Sequence, residues 1–486
     1  MDISCRAGNH LWHIDPGFSQ ISEVPCVSPG SAEPDELDTG LWSSLPVKLL
    51  LTFVRFFGVK CATHPFVRLK HRRCFAWISK SWQLYLLLIS ILVIIVDSFK
   101  SYESYLNRIK SFEFTALSIS IYRLFFVTKN LFFVIKLFLL RKTAKRLFKA
   151  VHDICWPRGE NMETTEIAQR KVRNFAAFLV GTGCVVLIVI LLAFFESFRE
   201  IITKKLTVGK FDCGWWCPIR FPVLGEFPLW LTFLFYSCSF TVAVGVDISP
   251  QLFTMLLIYP IGLRFKLFTR HLKETNGVAD TPPRTARPSR SGSRLGVPWS
   301  DRSRVLRAQT VFHLEMSQLV LEMDEAFSTL FMLVYITDFL GFIATASMFI
   351  HNRNGSAHLN FDTEILPIFL ALVAISVIFS LLRTGFGVWL SEQAHSVLPH
   401  LFELNLRVSS DEDTFLCTSF ISRLQGSRVA LTAGGFLYIT REFVITILGV
   451  LLTYFLFLYQ MQDQKMDISR WTKPEVDLYK PAFSKP

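Results

Sequence analysis

The 486-residue sequence lacks the groups of residues that most enzymes use. It has no paired carboxylates in a plausible site, no His and Cys cluster with metal-ligand spacing, and no phosphate-binding loop. His395 and His400 are five residues apart, and we interpret them as surface residues of a cytoplasmic region. We therefore predict that the protein is not an enzyme and binds neither a metal nor a cofactor.

The ten cysteines do not form a disulfide framework. Most lie alone in or beside apolar segments, as Cys184 and Cys238 do, where they act as small hydrophobic residues. Only Cys213 and Cys217 form a close pair in a polar loop, and two further zinc ligands are missing nearby. This pair predicts either a C-x3-C disulfide on an oxidising face of a membrane or two free thiols.

Apolar residues are instead abundant and gathered into long blocks. They make up 51% of the chain, which contains 47 Phe and has a mean hydropathy of +0.38. A soluble domain does not need this much apolar surface, whereas ~20 apolar residues in a helix span a bilayer. We predict an all-α membrane protein with seven transmembrane helices, at about 81–99, 113–140, 174–198, 228–259, 327–351, 363–390 and 436–460.

The segments around the transmembrane domain (81–460) differ in composition. Residues 1–80 are predicted to be a partly disordered N-terminal segment, too polar and acidic at the start for a signal peptide. Within it, residues 45–60 are amphipathic and predict a short helix in the membrane interface. Residues 276–306 are predicted to form a disordered basic insertion, which serves either as a flexible linker or as a docking site. Residues 461–486 are predicted to be a tail.

The distribution of Lys and Arg predicts the orientation in the membrane. Basic residues crowd the segments 60–80, 141–173 and 260–307, and few lie in 100–112 and 352–362. Positive loops face the cytoplasm, so we predict a cytoplasmic N-terminus and an extracellular C-terminus. The sequon Asn354-Gly355-Ser356 then lies outside, where it predicts glycosylation. The net charge of +12 reflects this orientation and attraction to anionic lipid, without any need for nucleic acid.

The last predicted span carries polar residues along one face. Thr453 and Gln460 are seven residues apart, almost two helical turns, so both point the same way. A helical projection gives a continuous polar stripe, formed by Thr446, Gly449, Thr453, Phe457, Gln460 and Gln464. In lipid such a stripe faces either partner helices or a hydrated path.

The end of the sequence resembles the C-terminal signature of arthropod gustatory receptors. In T-Y-F-L-F-L-Y-Q-M, residues Thr453, Tyr454 and Gln460 match that signature position by position, and Met461 replaces the usual Phe. The preceding A-G-G-F also resembles the family's lead into its last helix. The resemblance implies a seven-helix chemoreceptor of the plasma membrane of sensory neuron dendrites. It also implies a ligand-gated, non-selective cation channel formed by four identical or related subunits.

On this resemblance, four copies of the last helix surround a central pore. Gln460 and Met461 would form the extracellular constriction, with Phe457 and Thr453 lining the path below. A small tastant, either a sugar or a bitter compound, would bind in the outer half of each subunit. The candidate ligand-binding residues are Phe194, Phe195, Trp230, Phe233, Tyr236, Asp338, Phe342 and Phe369.

An ionised Asp338 in a membrane span requires a partner. Lys129, Arg123 or a cationic ligand could provide it, and we expect Asp247 and Arg383 to form a separate structural network nearer the cytoplasm. Two other functions remain open for a seven-span chain: an odorant-receptor-like channel subunit and a G-protein-coupled receptor. The latter requires the opposite orientation, and the sequence lacks D-R-Y after span three and N-P-x-x-Y in span seven.

Overall fold

The computed structural model is almost entirely helical. It describes residues 44–57, 82, 84, 85, 88, 91, 114–156, 162–208, 220–221, 225–226, 229–277, 299–353, 366–407 and 410–471. The helices are α1 (Leu45–Phe56), α2 (Phe114–Cys155), α3 (Met162–Val208), α4 (Leu229–Gly277), α5 (Trp299–Arg353), α6 (Leu366–His395), α7 (Leu398–Arg407), α8 (Asp411–Gly426) and α9 (Arg441–Trp471). Two antiparallel strand pairs are present, β1 (Arg220–Phe221) with β2 (Gly225–Glu226) and β3 (Thr432–Ala433) with β4 (Leu437–Tyr438).

Five stretches of the described residues are long and apolar enough to cross a membrane. They are Glu166–Glu196, Thr241–Lys273, Arg304–Ser347, Val373–Leu406 and Arg441–Gln460. These stretches overlap predicted spans three to seven and confirm the all-α membrane fold. Predicted span two is helical within α2, and part of it lies outside the residues whose side chains are described. Most of predicted span one, 81–99, lies outside the described residues.

The central helix of the bundle is α4, which packs against α1, α2, α3, α5 and α6. Between Val244 and Ile258 every side chain is buried, including those of Asp247 and Gln251. A helix that is buried all round shows no apolar stripe, because it has no polar face to expose. The polar residues of α4 must therefore find partners inside the protein.

The amphipathic segment near the N-terminus forms helix α1, as predicted. Its apolar residues recur at positions 47, 50, 51 and 54, which places them on one face, and all four are buried. This face packs against α3 and α4, whereas Leu45, Leu49 and Phe56 on the other side are exposed, and the placement in the membrane interface stays a prediction. Phe53 lies against Gly183 of α3, and the Phe57 ring lies against Gly245 of α4. The absent glycine side chains make room for both rings.

Three boundaries differ from the predicted ones. The last transmembrane helix begins at Arg441 and not at 436, because Gly434 and Gly435 have φ of +72° and +83° and turn the chain into the β3–β4 hairpin. Such φ values favour glycine. Helix α5 begins at Trp299, so the end of the segment predicted as disordered (276–306) is helical. Helix α9 continues to Trp471, into the predicted tail 461–486.

Candidate functional site

Among the described residues, one face of helix α9 packs against the rest of the chain. The Phe443 ring lies 5.2 Å from Tyr335 of α5, and Tyr454 lies 6.2 Å from Phe339 of α5, between ring centroids. Further along, Leu458 is buried and clusters with Ala346 of α5. These contacts attach α9 to α5 and leave its other sides to the surroundings.

The polar stripe of α9 lies off this packing face. Its described side chains are exposed, and Phe457 is 54% accessible. Thr446 and Thr453 donate their hydroxyl protons to the carbonyls of Glu442 and Gly449, each at 2.8 Å. The threonines therefore need no outside partner, whereas the face as a whole remains uncovered by the described helices of this chain. The side chains of Met461 and Gln464 lie outside the described part of the structure.

The signature residues of the last helix are divided between the two faces. Thr453 and Gln460 lie on the exposed polar stripe, whereas Tyr454 is half-buried against Phe339 and Leu458. The Tyr454 position therefore attaches α9 to α5, and the Thr453 and Gln460 positions lie on a side that no described helix of this chain covers.

The β3–β4 hairpin ties the start of α9 to α5. Asp324 accepts a hydrogen bond from the Thr432 backbone N–H at 2.5 Å and another from the Thr432 hydroxyl at 2.6 Å. The Gly434 N–H donates to the Ser328 carbonyl at 2.9 Å. Beyond the hairpin, Arg441 forms an exposed ion pair with a glutamate of α6, Glu392. The first turn of α9 is therefore held by both α5 and α6.

A network of buried charges lies deeper in the bundle, where four helices meet. Lys129 Nζ of α2 lies 2.8 Å from Asp247 Oδ1 of α4, and Arg383 Nη2 of α6 lies 2.9 Å from Asp338 Oδ2 of α5. Gln251 lies one turn after Asp247 on α4 and contacts the second ion pair. Its amide nitrogen donates to the backbone carbonyl of Asp247 at 3.1 Å, and its amide oxygen accepts from Arg383 at 2.8 Å.

The network contains two cations and two anions, so it is electrically neutral. The Lys129 and Arg383 side chains are only 1% and 2% accessible. A charged residue at a membrane midplane costs ~2.5–3.5 kcal/mol on insertion scales, and pairing offsets part of that cost. The pairing predicted for Asp338 is confirmed, but the partner is Arg383. The expectation that Asp247 and Arg383 form a network apart from Asp338 is wrong, because Arg383 pairs with Asp338 itself and Asp247 pairs with Lys129.

The network reaches α9 through Tyr335. The guanidinium carbon of Arg383 lies 4.1 Å from the centre of the Tyr335 ring, in a cation–π contact. The Tyr335 hydroxyl is 2.8 Å from the Thr384 hydroxyl of α6. The same ring meets Phe443 edge-on, at an interplanar angle of 80°. Tyr335 is therefore shared between the charge network and the first turn of α9.

The residues predicted to bind a ligand occupy different surroundings. Asp338 and Phe342 lie one turn apart on α5, and Phe342 packs beside the Ala346–Leu458 cluster. Phe194 is buried in the core from α3, whereas its neighbour Phe195 is 62% exposed. The side chains of Trp230, Phe233 and Tyr236 on α4 and of Phe369 on α6 lie outside the described part. Cys213, Cys217 and Asn354 also lie outside the part whose side chains are described, so their roles stay predictions.

Comparison with known families decides the identity of this bundle. The family model described as 7tm Chemosensory receptor matches residues 47–465. The chain belongs to the 7tm chemosensory receptor family. Comparison with curated proteins gave no match.

Solved structures show the same fold for this chemosensory receptor. The insect olfactory receptor OR5 from Machilis hrabei is 12% identical, with a TM-score of 0.59. The same receptor in complex with eugenol is also 12% identical, with a TM-score of 0.63. Each match covers 85% of this chain and 97% of the olfactory receptor chain. At this identity the likeness concerns the fold.

Several polar residues of this receptor's network were not singled out from sequence. Gln251, Tyr335, Ser380 and Thr384 all contact the network or its tyrosine. A signal existed for Gln251, because it follows Asp247 by one helical turn in an otherwise apolar helix. Tyr335 gave no such signal, since the pattern of a transmembrane helix does not show which aromatic ring faces a cation on another helix.

Proposed function

We propose that this chemosensory receptor is a gustatory receptor that acts as a ligand-gated, non-selective cation channel. Four subunits, identical or related, would place α9 around a central pore in the plasma membrane of sensory neuron dendrites. The N-terminus would be cytoplasmic and the C-terminus extracellular. The observation that carries the proposal is the polar stripe of α9, which the described helices of this chain leave uncovered although α9 packs on α5 through another face.

The residues of the stripe suit a gate that opens by a small rotation. Met461 and Phe457 are apolar, and apolar rings at a narrow constriction exclude water and block ions. Rotation of α9 would replace them in the path with the amide of Gln460. The stripe between Thr446 and Gln464 carries no carboxylate, so it offers no charged ring to select among cations.

A small molecule would drive this rotation from the outer half of each subunit. The candidate contacts are mainly aromatic, and such side chains suit the rings of bitter compounds or the faces of sugars. The ligand shifts the gate only if it binds the open state more tightly than the closed one. The complex of the Machilis hrabei receptor with eugenol supports binding of a small molecule in this fold.

An odorant-receptor-like channel subunit is the second candidate. The likeness of the fold to olfactory receptor OR5 favours it, whereas the Thr453, Tyr454 and Gln460 signature favours the gustatory assignment. Responses to involatile sugars or bitter compounds as opposed to volatile compounds would distinguish the two.

The test is electrical recording from cells that express this chain alone. D-fructose, caffeine and eugenol would be applied in turn, to represent a sugar, a bitter compound and a volatile compound. We expect a cation current that Gln460→Ala and Met461→Ala alter. Leu452→Ala is the matched control, because Leu452 is also exposed on α9 but lies off the polar stripe. G-protein signalling without any intrinsic conductance would contradict the proposal and favour a G-protein-coupled receptor.

A further inference from the structure

One face of α5 contacts both the charge network and α9. Tyr335, Asp338, Phe339 and Phe342 follow the i, i+3, i+4, i+7 spacing that places side chains on one side of a helix. Tyr335 and Asp338 contact Arg383 of α6, while Tyr335 and Phe339 contact aromatic residues of α9. A change at Arg383 therefore reaches the surface on which α9 rests.

Arg383 itself has little freedom to move. Its guanidinium donates to Asp338 at 2.9 Å, to Gln251 at 2.8 Å and to Ser380 at 3.2 Å. A planar guanidinium that donates in several fixed directions is held in one orientation. Because the Tyr335 ring lies on this group and the Tyr335 hydroxyl meets Thr384, the ring is fixed at its face and at its end.

The Tyr335 ring meets α9 close to the start of that helix. Phe443 is the third residue of α9, so its contact with Tyr335 acts on the first turn, together with the hairpin and the Arg441–Glu392 pair. A helix is stiff over several turns, and a displacement of its first turn therefore carries the rest with it. The exposed polar stripe begins one turn after Phe443, at Thr446.

We infer that Asp338 and Arg383 are positioning residues that hold Tyr335 against Phe443 and so set the orientation of α9. Breaking the ion pair would release the Tyr335 ring, loosen the first turn of α9 and change which stripe residues face the pore. The effect on the pore rests on the proposed channel function, whereas the effect on the order of α9 does not.

The first test measures hydrogen exchange of α9 in the purified full-length receptor. We expect Asp338→Asn, Arg383→Lys and Tyr335→Leu each to speed exchange in residues 441–451 by about tenfold. Tyr335→Phe is the matched control, because it keeps the ring between Arg383 and Phe443 and removes only the hydroxyl. Unchanged exchange in folded Asp338→Asn and Arg383→Lys proteins would overturn the inference. So would an equal effect of Tyr335→Phe.

The second test measures access to the proposed pore without any ligand. The Gln460→Cys variant would be treated from outside with a methanethiosulfonate that carries a trimethylammonium group, and the rate of current change recorded. Asp338→Asn and Tyr335→Leu should each change this rate, and their combination should change it no further, because both act through one ring. Additive effects would contradict a shared route through Tyr335.

The outcomes separate the inference from the proposed function. If the thiol introduced by Gln460→Cys is never modified although exchange in α9 responds, the channel assignment fails and the positioning role stands. If that thiol is modified at the same rate with and without Asp338→Asn and Tyr335→Leu, the channel assignment stands and the positioning role fails. If the charge variants do not fold, Tyr335→Leu and Phe443→Leu carry the same two tests, since both leave the ion pairs in place.

Discussion

The indole ring of Trp389 on α6 lies directly against Gly262 on α4. A Cβ atom at position 262 would overlap the six-membered part of the indole. The ring cannot easily move aside, because Tyr259 stacks on it at 5.6 Å, Phe386 meets it edge-on at 6.3 Å, and it also packs against Val172 and Leu263. The close approach of α4 and α6 therefore depends on the missing side chain at Gly262.

Gly262→Ala should destabilise the receptor by about 1–3 kcal/mol, the usual cost of an extra methyl group in a packed core. Gly385→Ala on α6 is the matched control, because no atom lies within 4 Å of the added Cβ. Alanine at position 385 should be neutral or should stabilise the receptor by up to about 1 kcal/mol, because alanine has a higher helix propensity than glycine. The temperature at which detergent-solubilised receptor aggregates measures both effects. Equal loss of stability in the two variants would contradict the packing argument.

The two glycines of the β3–β4 turn allow a second comparison. Gly434 and Gly435 both have positive φ, so alanine at either position should cost about 1–2 kcal/mol in backbone strain. Only at Gly434 would the new Cβ also meet the Met332 sulfur, at 2.6 Å. Gly434→Ala should therefore lower surface expression and thermal stability more than Gly435→Ala. Adding Met332→Ala should recover part of the Gly434→Ala loss, and no recovery would assign the cost to the backbone and to the Phe436 ring, 2.8 Å from the new Cβ.

Long apolar blocks made the helices predictable, because no other regular structure satisfies the backbone within lipid except a closed barrel. The spacing of Thr453 and Gln460 likewise predicted the stripe on α9 that the structure leaves exposed. These features depend only on residues that are close in sequence.

Features that depend on distant residues were harder to predict. Asp338 could be recognised as needing a partner, but Arg383 becomes that partner only through the adjacency of α5 and α6. The sequence of α1 shows its apolar face, but it does not show that Gly183 and Gly245 on other helices lie against Phe53 and Phe57. The hairpin before α9 has strands of two residues, too short for a periodic pattern.

The predicted orientation gives a test on intact cells. The basic segments predict a cytoplasmic N-terminus, and in that orientation an epitope tag there should be labelled only after permeabilisation. A tag at the C-terminus should be labelled without permeabilisation. Asn354→Gln should also remove a glycosidase-sensitive shift in gel mobility, because the sequon faces outward in this orientation. An N-terminal tag accessible on intact cells would reverse the assignment.

Replacing one partner of the Lys129–Asp247 pair should destabilise the receptor more than replacing both. Lys129→Met leaves Asp247 buried without its cation, and breaking such a pair typically costs about 3–5 kcal/mol. The double variant Lys129→Met with Asp247→Leu leaves no charge uncompensated, so it should recover most of that stability, as apolar replacements of buried pairs often do. Lys142→Met, at an exposed position of α2, is the control and should change little. Thermal unfolding of the wild type, the two single variants and the double variant gives the coupling between the two sites, and additive losses would mean that the 2.8 Å contact contributes nothing to stability.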